Sequence, residues 1–116
     1  MTVRVTHKTA RLLKQLLVID KLRKLAADTD SAYHMPSREI MERAGVGSGS
    51  FYPIMSRLEA AGWVEYEWEV VPEGRNRPRR LFYHLTEPGV IAARSAVKQD
   101  DNRITVWDRI MKGFAK

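Results

Sequence analysis

The chain has 116 residues, of which 44% are hydrophobic, so it can bury one modest core and we expect a single compact domain. It contains no cysteine, which excludes disulfide bonds, thiolate metal sites and cysteine nucleophiles and agrees with a reducing compartment. Since no apolar run approaches the roughly 20 residues of a membrane span and the N-terminus has no signal-like core, we expect a cytoplasmic protein without membrane contact.

The net charge of +6 is unevenly distributed along the chain. Residues 1–24 carry seven Lys/Arg and one acid, residues 25–71 are net acidic, and the short segment 72–80, PEGRNRPRR, carries four arginines and one glutamate. Uniform positive charge would serve only solubility, whereas two basic clusters favour a polyanionic partner such as nucleic acid. A solvated charged surface is the alternative explanation.

The first two predicted elements are helices. Over residues 6–27 leucines recur at helical spacing, with lysines and arginines falling mostly between them. The segment DTDS should end this helix, and a short extended piece should lead to Pro36, which disfavours helix in the residue before it. Ser37 is then placed to cap a second helix over REIMERA, and Gly45 is placed to end it.

The third predicted helix lies in GSGSFYPIMSRLEAAGW, although two glycines and a proline fall within the first seven residues. Pro53 cannot donate a hydrogen bond to the residue four positions back, but that residue is Gly49, whose backbone can relax. One face should be buried; it holds Phe51, Ile54, Met55 and Leu58. The opposite face is small and almost uncharged, with Gly49, Pro53, Ser56 and Ala60. Such a face indicates a contact surface whose free N–H groups can approach a phosphate.

After Gly62 the hydrophobic period changes from helical to two, which predicts a β-hairpin. In WVEYEWEV the apolar residues alternate with three glutamates, which should face solvent or the basic first helix. A turn around Gly74 leads to the returning strand LFYHLT. Thr86 can cap a further helix through VIAARSAVK, which we expect to break at QDDN before a last helix in ITVWDRIMKGFAK.

Three helices followed by a hairpin with an arginine-rich tip are the element order of a winged helix-turn-helix. We therefore predict an α+β fold, mostly α, with a long N-terminal helix and an added C-terminal helix or helices. Residues 1–99 would form the DNA-binding winged helix-turn-helix, and residues 100–116 a C-terminal helix for dimerisation, within a single compact domain.

Two blocks of the sequence are similar to one known family. SFYPIMSRLEAAGWVE resembles the signature of PadR-like transcriptional regulators, in which Tyr-Pro precedes Arg-Leu-Glu and a Gly that ends the recognition helix. GRNRPRRLFYHLTEPG is similar to the arginine-rich wing of that family, with its Tyr-x-Leu-Thr strand and following Gly. Together with the long first helix, the resemblance extends over residues 8–95.

The resemblance implies a homodimeric bacterial or phage-type DNA-binding regulator, usually a repressor, sometimes relieved by a small aromatic or hydrophobic effector. Recognition helix 48–61 would enter the major groove of double-stranded DNA, and wing 72–80 would grip the adjacent backbone or minor groove. The expected DNA contacts are Ser37, Arg38, Ser48, Ser50, Tyr52, Pro53, Ser56, Arg57, Arg75, Asn76, Arg77, Arg79 and Arg80. A two-fold dimer predicts an inverted-repeat operator. Its expected interface comprises Leu13, Leu17, Ile19, Trp107, Ile110, Met111 and Phe114.

Other function classes find less support in the sequence. It has no Gly-rich phosphate loop, no His–carboxylate constellation and no nucleophile motif, so we do not expect an enzyme. The three histidines lack ligand spacing, so we expect neither a metal nor a cofactor. The stronger rival is a winged-helix module that binds a protein or RNA without binding an operator.

Overall fold

The structure is a computed structural model that describes residues 3–27 and 33–114. In chain order the elements are helices α1 (His7–Ala26), α2 (Ser37–Ala44) and α3 (Ser48–Ala60), strands β1 (Val64–Trp68) and β2 (Leu81–Leu85), and helix α4 (Glu87–Phe114). The predicted winged helix-turn-helix with a long first helix and an added C-terminal helix is confirmed. The segment DTDS, predicted to end the first helix, lies outside the described residues.

Helix α1 supplies one wall of the core. Its N-cap is Thr6, whose Oγ1 accepts a hydrogen bond from the backbone N–H of Thr9 at 3.2 Å. The fully buried side chains on its inner face are Leu12, Leu13, Leu16 and Ile19. Because these leucines pack against helices α2 and α4 and strand β2 of the same chain, they need no partner subunit to cover them.

Helix α2 begins one residue earlier than an N-cap at Ser37 would require, so the predicted cap is wrong. Pro36 occupies the cap position in an extended conformation, and its carbonyl accepts from the N–H groups of Glu39 and Ile40. Ser37 is the first helical residue, and its hydroxyl donates to the Leu81 carbonyl at 2.8 Å. This bond ties the start of α2 to the wing.

Helix α3 has the buried face that its sequence predicts. Phe51, Met55 and Leu58 are fully inside, and the Phe51 ring meets the Tyr83 ring edge-on with centroids 5.7 Å apart. The helix is continuous through Pro53. Gly62 follows at φ +78°, a left-handed conformation that favours glycine, so it ends the helix as predicted.

The hairpin pairs β1 and β2 antiparallel, with Val64 opposite Leu85 and Trp68 opposite Leu81. Only Val64 of β1 is buried, whereas β2 stays on the core through Tyr83 and Leu85, so β1 is the outer strand of the hairpin. The apolar alternation of β1 therefore does not mark a covered face: Tyr66 and Trp68 are about half exposed. One glutamate of the other face, Glu67, lies 3.7 Å from the Arg23 guanidinium on helix α1, as the sequence suggested.

Helix α4 is continuous, so the break predicted at QDDN does not occur. Asp100, only 2% exposed, is satisfied by His7 Nδ1 at 2.9 Å and Arg103 Nη2 at 3.2 Å. Lys14 Nζ binds Asp101 at 2.8 Å. These polar residues therefore fasten the middle of α4 to α1 instead of ending the helix, and residue 99 is not an element boundary.

The start of α4 is held against the end of α3 by a close backbone approach. Thr86 caps the helix as predicted, since its Oγ1 accepts from the Gly89 N–H at 3.0 Å. Gly89 packs on the backbone of Trp63, where an added Cβ would lie 1.9 Å from the carbonyl oxygen. None of the described helices is long and apolar enough to cross a membrane.

Candidate nucleic-acid interface

The outer face of α3 presents a narrow band of small side chains, which we call the α3 strip. It consists of Gly49, Pro53, Ser56 and Ala60, all exposed. Tyr52, 46% exposed, borders the strip on one side, and Arg57 borders it on the other. Because these side chains are short, an approaching surface can come close to the helix backbone.

Beside Tyr52 a cleft of about 830 Å³ separates α3 from the wing. We call it the wing cleft. The start of α2 forms one wall with Ser37 and Arg38, and the base of the wing forms the other with Trp68, Arg79 and Arg80. Glu39 and Glu42 also line the cleft, and Arg38 lies 3.4 Å from the Glu42 carboxylate. The wing cleft thus has mixed charge, with cations on both walls.

The four wing arginines are not equivalent. Arg77 donates two hydrogen bonds to the Glu69 carboxylate, at 2.6 and 3.0 Å. These bonds lower the pKa of Glu69 and raise the pKa of Arg77. Among the residues that the structure describes, Arg77 is the one wing arginine in an ion pair; Arg75, Arg79 and Arg80 extend from the exposed loop. Arg77 therefore stabilises the shape of the wing. Arg75 and Arg79 present free cationic groups, and Arg80 is exposed although its charge also acts on Glu69.

The arrangement of α2, α3 and an arginine-bearing wing agrees with a family comparison. The sequence model described as "Transcriptional regulator PadR-like family" matches residues 36–95, just over half of the chain. The chain belongs to the PadR-like family of transcriptional regulators. The match extends from the residue before α2 into helix α4, so it includes both the α3 strip and the wing. No curated protein matches the sequence.

Solved structures share the fold of this PadR-like protein. A protein from Streptococcus mutans has a TM-score of 0.61 at 23% identity, over 97% of this chain and 95% of the other. NadR in complex with 4-hydroxyphenylacetate has a TM-score of 0.56 at 20% identity, over 92% of this chain and 63% of its own. Lactococcus lactis ZitR in complex with DNA has a TM-score of 0.52 at 12% identity, over 95% and 62%. The chain thus spans less than two thirds of NadR and of ZitR.

Most of the DNA contacts predicted for the PadR-like protein are exposed on α3 and on the wing. Ser48, Ser56 and Arg57 are exposed on α3, and Ser50 is half-buried, with its Oγ 3.2 Å from Lys8 Nζ. Ser37 is an exception. It is 6% exposed and its single O–H is donated to Leu81, so we correct its role from a DNA contact to a structural link.

One aromatic residue beside the predicted contacts was missed by the sequence reasoning. Trp68 is 55% exposed and lines the wing cleft together with Tyr52 and Arg80. From the sequence, a tryptophan such as Trp68 is expected in a core or an interface. Only its position on the outer strand of the hairpin places it beside the predicted contacts.

The predicted dimer residues divide into two groups. Leu13 and Ile19 are buried in the core of their own chain, so we correct their assignment to an interface; Leu17 is half-buried. On α4, Trp107 is 64% exposed, and Ile110 and Met111 are about half exposed. The side chain of Phe114 lies outside the described residues.

Within residues 3–27 and 33–114 no group of three His, Cys, Asp or Glu side chains could hold a metal ion. Each histidine instead lies beside one carboxylate. The three pairs are His7 with Asp100 at 2.9 Å, His34 with Glu67 at 3.4 Å and His84 with Glu65 at 3.2 Å.

Proposed function

We propose that this PadR-like regulator is a cytoplasmic repressor that binds an inverted-repeat operator in double-stranded DNA as a homodimer. The α3 strip is the observation that carries the proposal. A solvated helix face ordinarily bears Lys and Glu, whereas this exposed face has neither, and free wing arginines lie beyond its Tyr52 border.

The α3 strip suits the major groove of B-DNA. That groove is about 12 Å wide and admits an α-helix, and small side chains let the helix approach the base edges closely. Ser56 and Arg57 supply hydrogen-bonding groups, and Pro53 can contact thymine methyl groups. Base reading by this protein therefore relies on few polar groups and on shape.

The wing and the start of α2 would contact the sugar–phosphate backbone. Arg75, Arg79 and Arg80 are exposed cations on a loop, Asn76 is an exposed amide, and Arg38 lies across the wing cleft. Such groups position a protein on DNA without reading sequence, and they make the affinity dependent on salt. Arg77 would assist by holding the loop through Glu69.

The C-terminal half of α4 is the proposed dimer contact. Residues 101–113 are exposed along their whole length in the single chain, yet Ile104, Trp107, Ile110 and Met111 form an apolar stripe on them. Short isolated helices are marginal in water, and an apolar stripe of this kind marks an interaction surface. An isologous pairing of two such stripes is the commonest closure, and it would place two α3 helices on one operator.

Two solved relatives in fold are consistent with these proposals. ZitR is described in complex with DNA, and NadR in complex with 4-hydroxyphenylacetate, a small aromatic acid. We accordingly propose that a small aromatic or hydrophobic effector relieves repression. Repression itself would follow from occupation of the promoter or operator.

Selection of duplexes from a random pool, followed by titration at two salt concentrations, tests the function. We expect inverted repeats with half-sites about one helical turn, roughly 34 Å, apart, and an affinity that falls steeply with salt. Selection of no duplex, or binding of RNA or a protein in place of DNA, would contradict the proposal. Occupation of the regulated promoter should lower its transcription in vitro; an increase would contradict the repressor role.

A further inference from the structure

A second concave surface lies on the side of the α3 strip away from the wing. It is a groove of about 680 Å³ between the first turns of α1 and the outer side of α3, which we call the α1 groove. Four cationic residues line it: Arg4, Lys8, Arg11 and Arg57. Among the described residues that line this groove there is no carboxylate.

Contacts within the groove hold two of these cations beside the start of α3. Lys8 Nζ donates to Ser50 Oγ at 3.2 Å, which joins α1 to the first turn of α3. Arg11 Nη2 approaches the Gly45 carbonyl oxygen at 3.5 Å, so its guanidinium lies at the turn between α2 and α3. Arg4 precedes α1 and is exposed. The groove is therefore built from two parts of the chain that are distant in sequence, residues 4–11 and 49–57.

The α1 groove and the wing cleft lie on opposite flanks of the α3 strip. Successive residues of an α-helix are rotated by about 100°, so Tyr52 projects from one side of α3 while Ser50 and Arg57 project together from the other. Tyr52 lines the wing cleft, and Ser50 and Arg57 line the α1 groove. The uncharged strip thus has cationic side chains on each side, within a surface of mixed charge at the wing cleft and without carboxylates at the α1 groove.

The charge of the α1 groove differs from that of the wing cleft. In the wing cleft Arg38 has a carboxylate neighbour, Glu42, and Glu39 adds a second acid. In the α1 groove Lys8 contacts a hydroxyl and Arg11 contacts a carbonyl, while the nearby acid Asp100 faces His7 and Arg103. Clustered like charges repel one another, and a polyanion removes that repulsion when it binds.

We propose that the α1 groove binds backbone phosphates of the DNA. Two strands border the major groove; the wing contacts one of them, and the α1 groove contacts the other. Helix α3 is then held in the groove from both sides, by Arg4, Lys8 and Arg11 on one flank and by the wing arginines on the other. The two backbones that border a major groove are about 12 Å apart across it, and a single helix between them brings both flanks within reach of phosphate. This inference rests on the proposed function.

The double variant Arg4→Gln/Lys8→Gln tests the α1 groove. Both side chains are exposed, so folding should be unaffected. Loss of two phosphate contacts in each protomer, four in the dimer, should flatten the slope of log K against log salt by about four units and weaken selected and scrambled duplexes alike. The matched control is Lys21→Gln/Lys98→Gln, which removes the same charge from two exposed lysines outside the groove and should leave the slope unchanged.

The outcomes of this comparison separate the inference from the proposed function. If the unaltered protein binds no duplex, the proposed function fails. If the unaltered protein binds and the groove variant has the same slope as the control, the α1 groove proposal alone is overturned. The charge-preserving variant Arg4→Lys/Lys8→Arg should keep the original slope. A slope as flat as that of the glutamine variant would also contradict a phosphate contact.

Neutral methylphosphonates, introduced one at a time into the selected duplex, locate the contacts on the DNA. At some positions a methylphosphonate should weaken DNA binding by the unaltered protein but not by Arg4→Gln/Lys8→Gln. Those are the phosphates that the α1 groove contacts. Within each half-site they should lie on the strand opposite to the positions that become silent in Arg75→Gln/Arg79→Gln. If the same positions become silent in both variants, the two flanks do not contact opposite strands and the proposal is wrong.

Discussion

Glu69 and Arg77 face each other at the base of the wing, and two hydrogen bonds of 2.6 and 3.0 Å join the carboxylate to the guanidinium. The backbone N–H of Arg80 also points at the same carboxylate, at 3.4 Å. One acid therefore bridges the strand that enters the loop and the strand that leaves it. It offsets the charge of Arg77, interacts to a smaller extent with the charge of Arg80, and leaves Arg75 and Arg79 free.

The unequal wing arginines should have unequal effects on DNA binding. Arg75→Ala and Arg79→Ala each remove one contact from each protomer, so each should flatten the salt slope of the dimer by about two units and weaken specific and random duplexes similarly. Arg77→Ala should flatten the slope less, since Glu69 already offsets that charge. Fluorescence anisotropy over a salt series measures the slopes. An Arg77→Ala slope change equal to that of Arg75→Ala would contradict this assignment.

The same contact should be visible in the titration of Glu69. The hydrogen bonds from Arg77 hold the pKa of Glu69 below its ordinary value of 4.5. Because the folded-state pKa is depressed, the contact contributes stability above the unfolded pKa and loses it as pH falls through the folded pKa. We expect the wing to loosen only at acid pH. NMR titration of the Glu69 carboxyl carbon should show the pKa rising toward 4.5 in Arg77→Ala and remaining low in Arg75→Ala; no rise in Arg77→Ala would refute the interaction.

Base reading should depend on the α3 strip and its border. Ser56→Ala combined with Arg57→Ala removes the polar reading groups from the exposed face, so the ratio of specific to random affinity should fall about ten-fold or more. The wing variants provide the comparison, because they should change both affinities and leave the ratio nearly constant. Competition titrations with the selected and a scrambled duplex measure the ratio. An unchanged ratio in the double variant would show that another surface reads the bases.

The dimer should depend on the apolar stripe of α4. Trp107→Glu with Ile110→Glu places charges on that stripe, so sedimentation should show a weaker dimer and DNA affinity should fall. Ile91→Glu is the matched control, because Ile91 is 72% exposed on the same helix but lies outside the stripe. A chain truncated after Arg103 lacks the stripe and should also form a weaker dimer. It keeps the contacts of Asp100 with His7 and Arg103. If the intact chain is a monomer at high micromolar concentration, both the proposed dimer and the proposed two-fold operator are wrong.

The packing of α4 on the turn that follows α3 should be sensitive to a single methyl group. Gly89→Ala would place its Cβ 1.9 Å from the Trp63 carbonyl oxygen, so the backbone must shift. We expect a loss of about 1–3 kcal/mol in the free energy of unfolding. Gly113→Ala, in the same helix and with no atom within 4 Å of the added Cβ, should cause no loss. Urea unfolding measures both; equal stability of the two variants would contradict the close approach.

Local patterns in the sequence predicted most of the fold. The buried face of α3 followed from four apolar residues at helical spacing, and Gly45 and Gly62 end their helices because left-handed backbone favours glycine. The change of period after Gly62 predicted the hairpin. These features depend on neighbours within a few positions, so the sequence alone determined them. The family resemblance rested on the same local blocks.

Contacts between distant residues decided the rest. The polar run QDDN reads as a helix break, yet Asp100 finds His7, 93 positions away, and the helix continues. Leu13 and Ile19 look available for a partner until the rest of the chain covers them. Arg77 looks like its neighbours until Glu69 neutralises it, and Lys8 reaches Ser50 only after α1 folds across α3. A charge or an apolar side chain acquires its role from the groups that surround it, and for these residues only the tertiary structure brings those groups together.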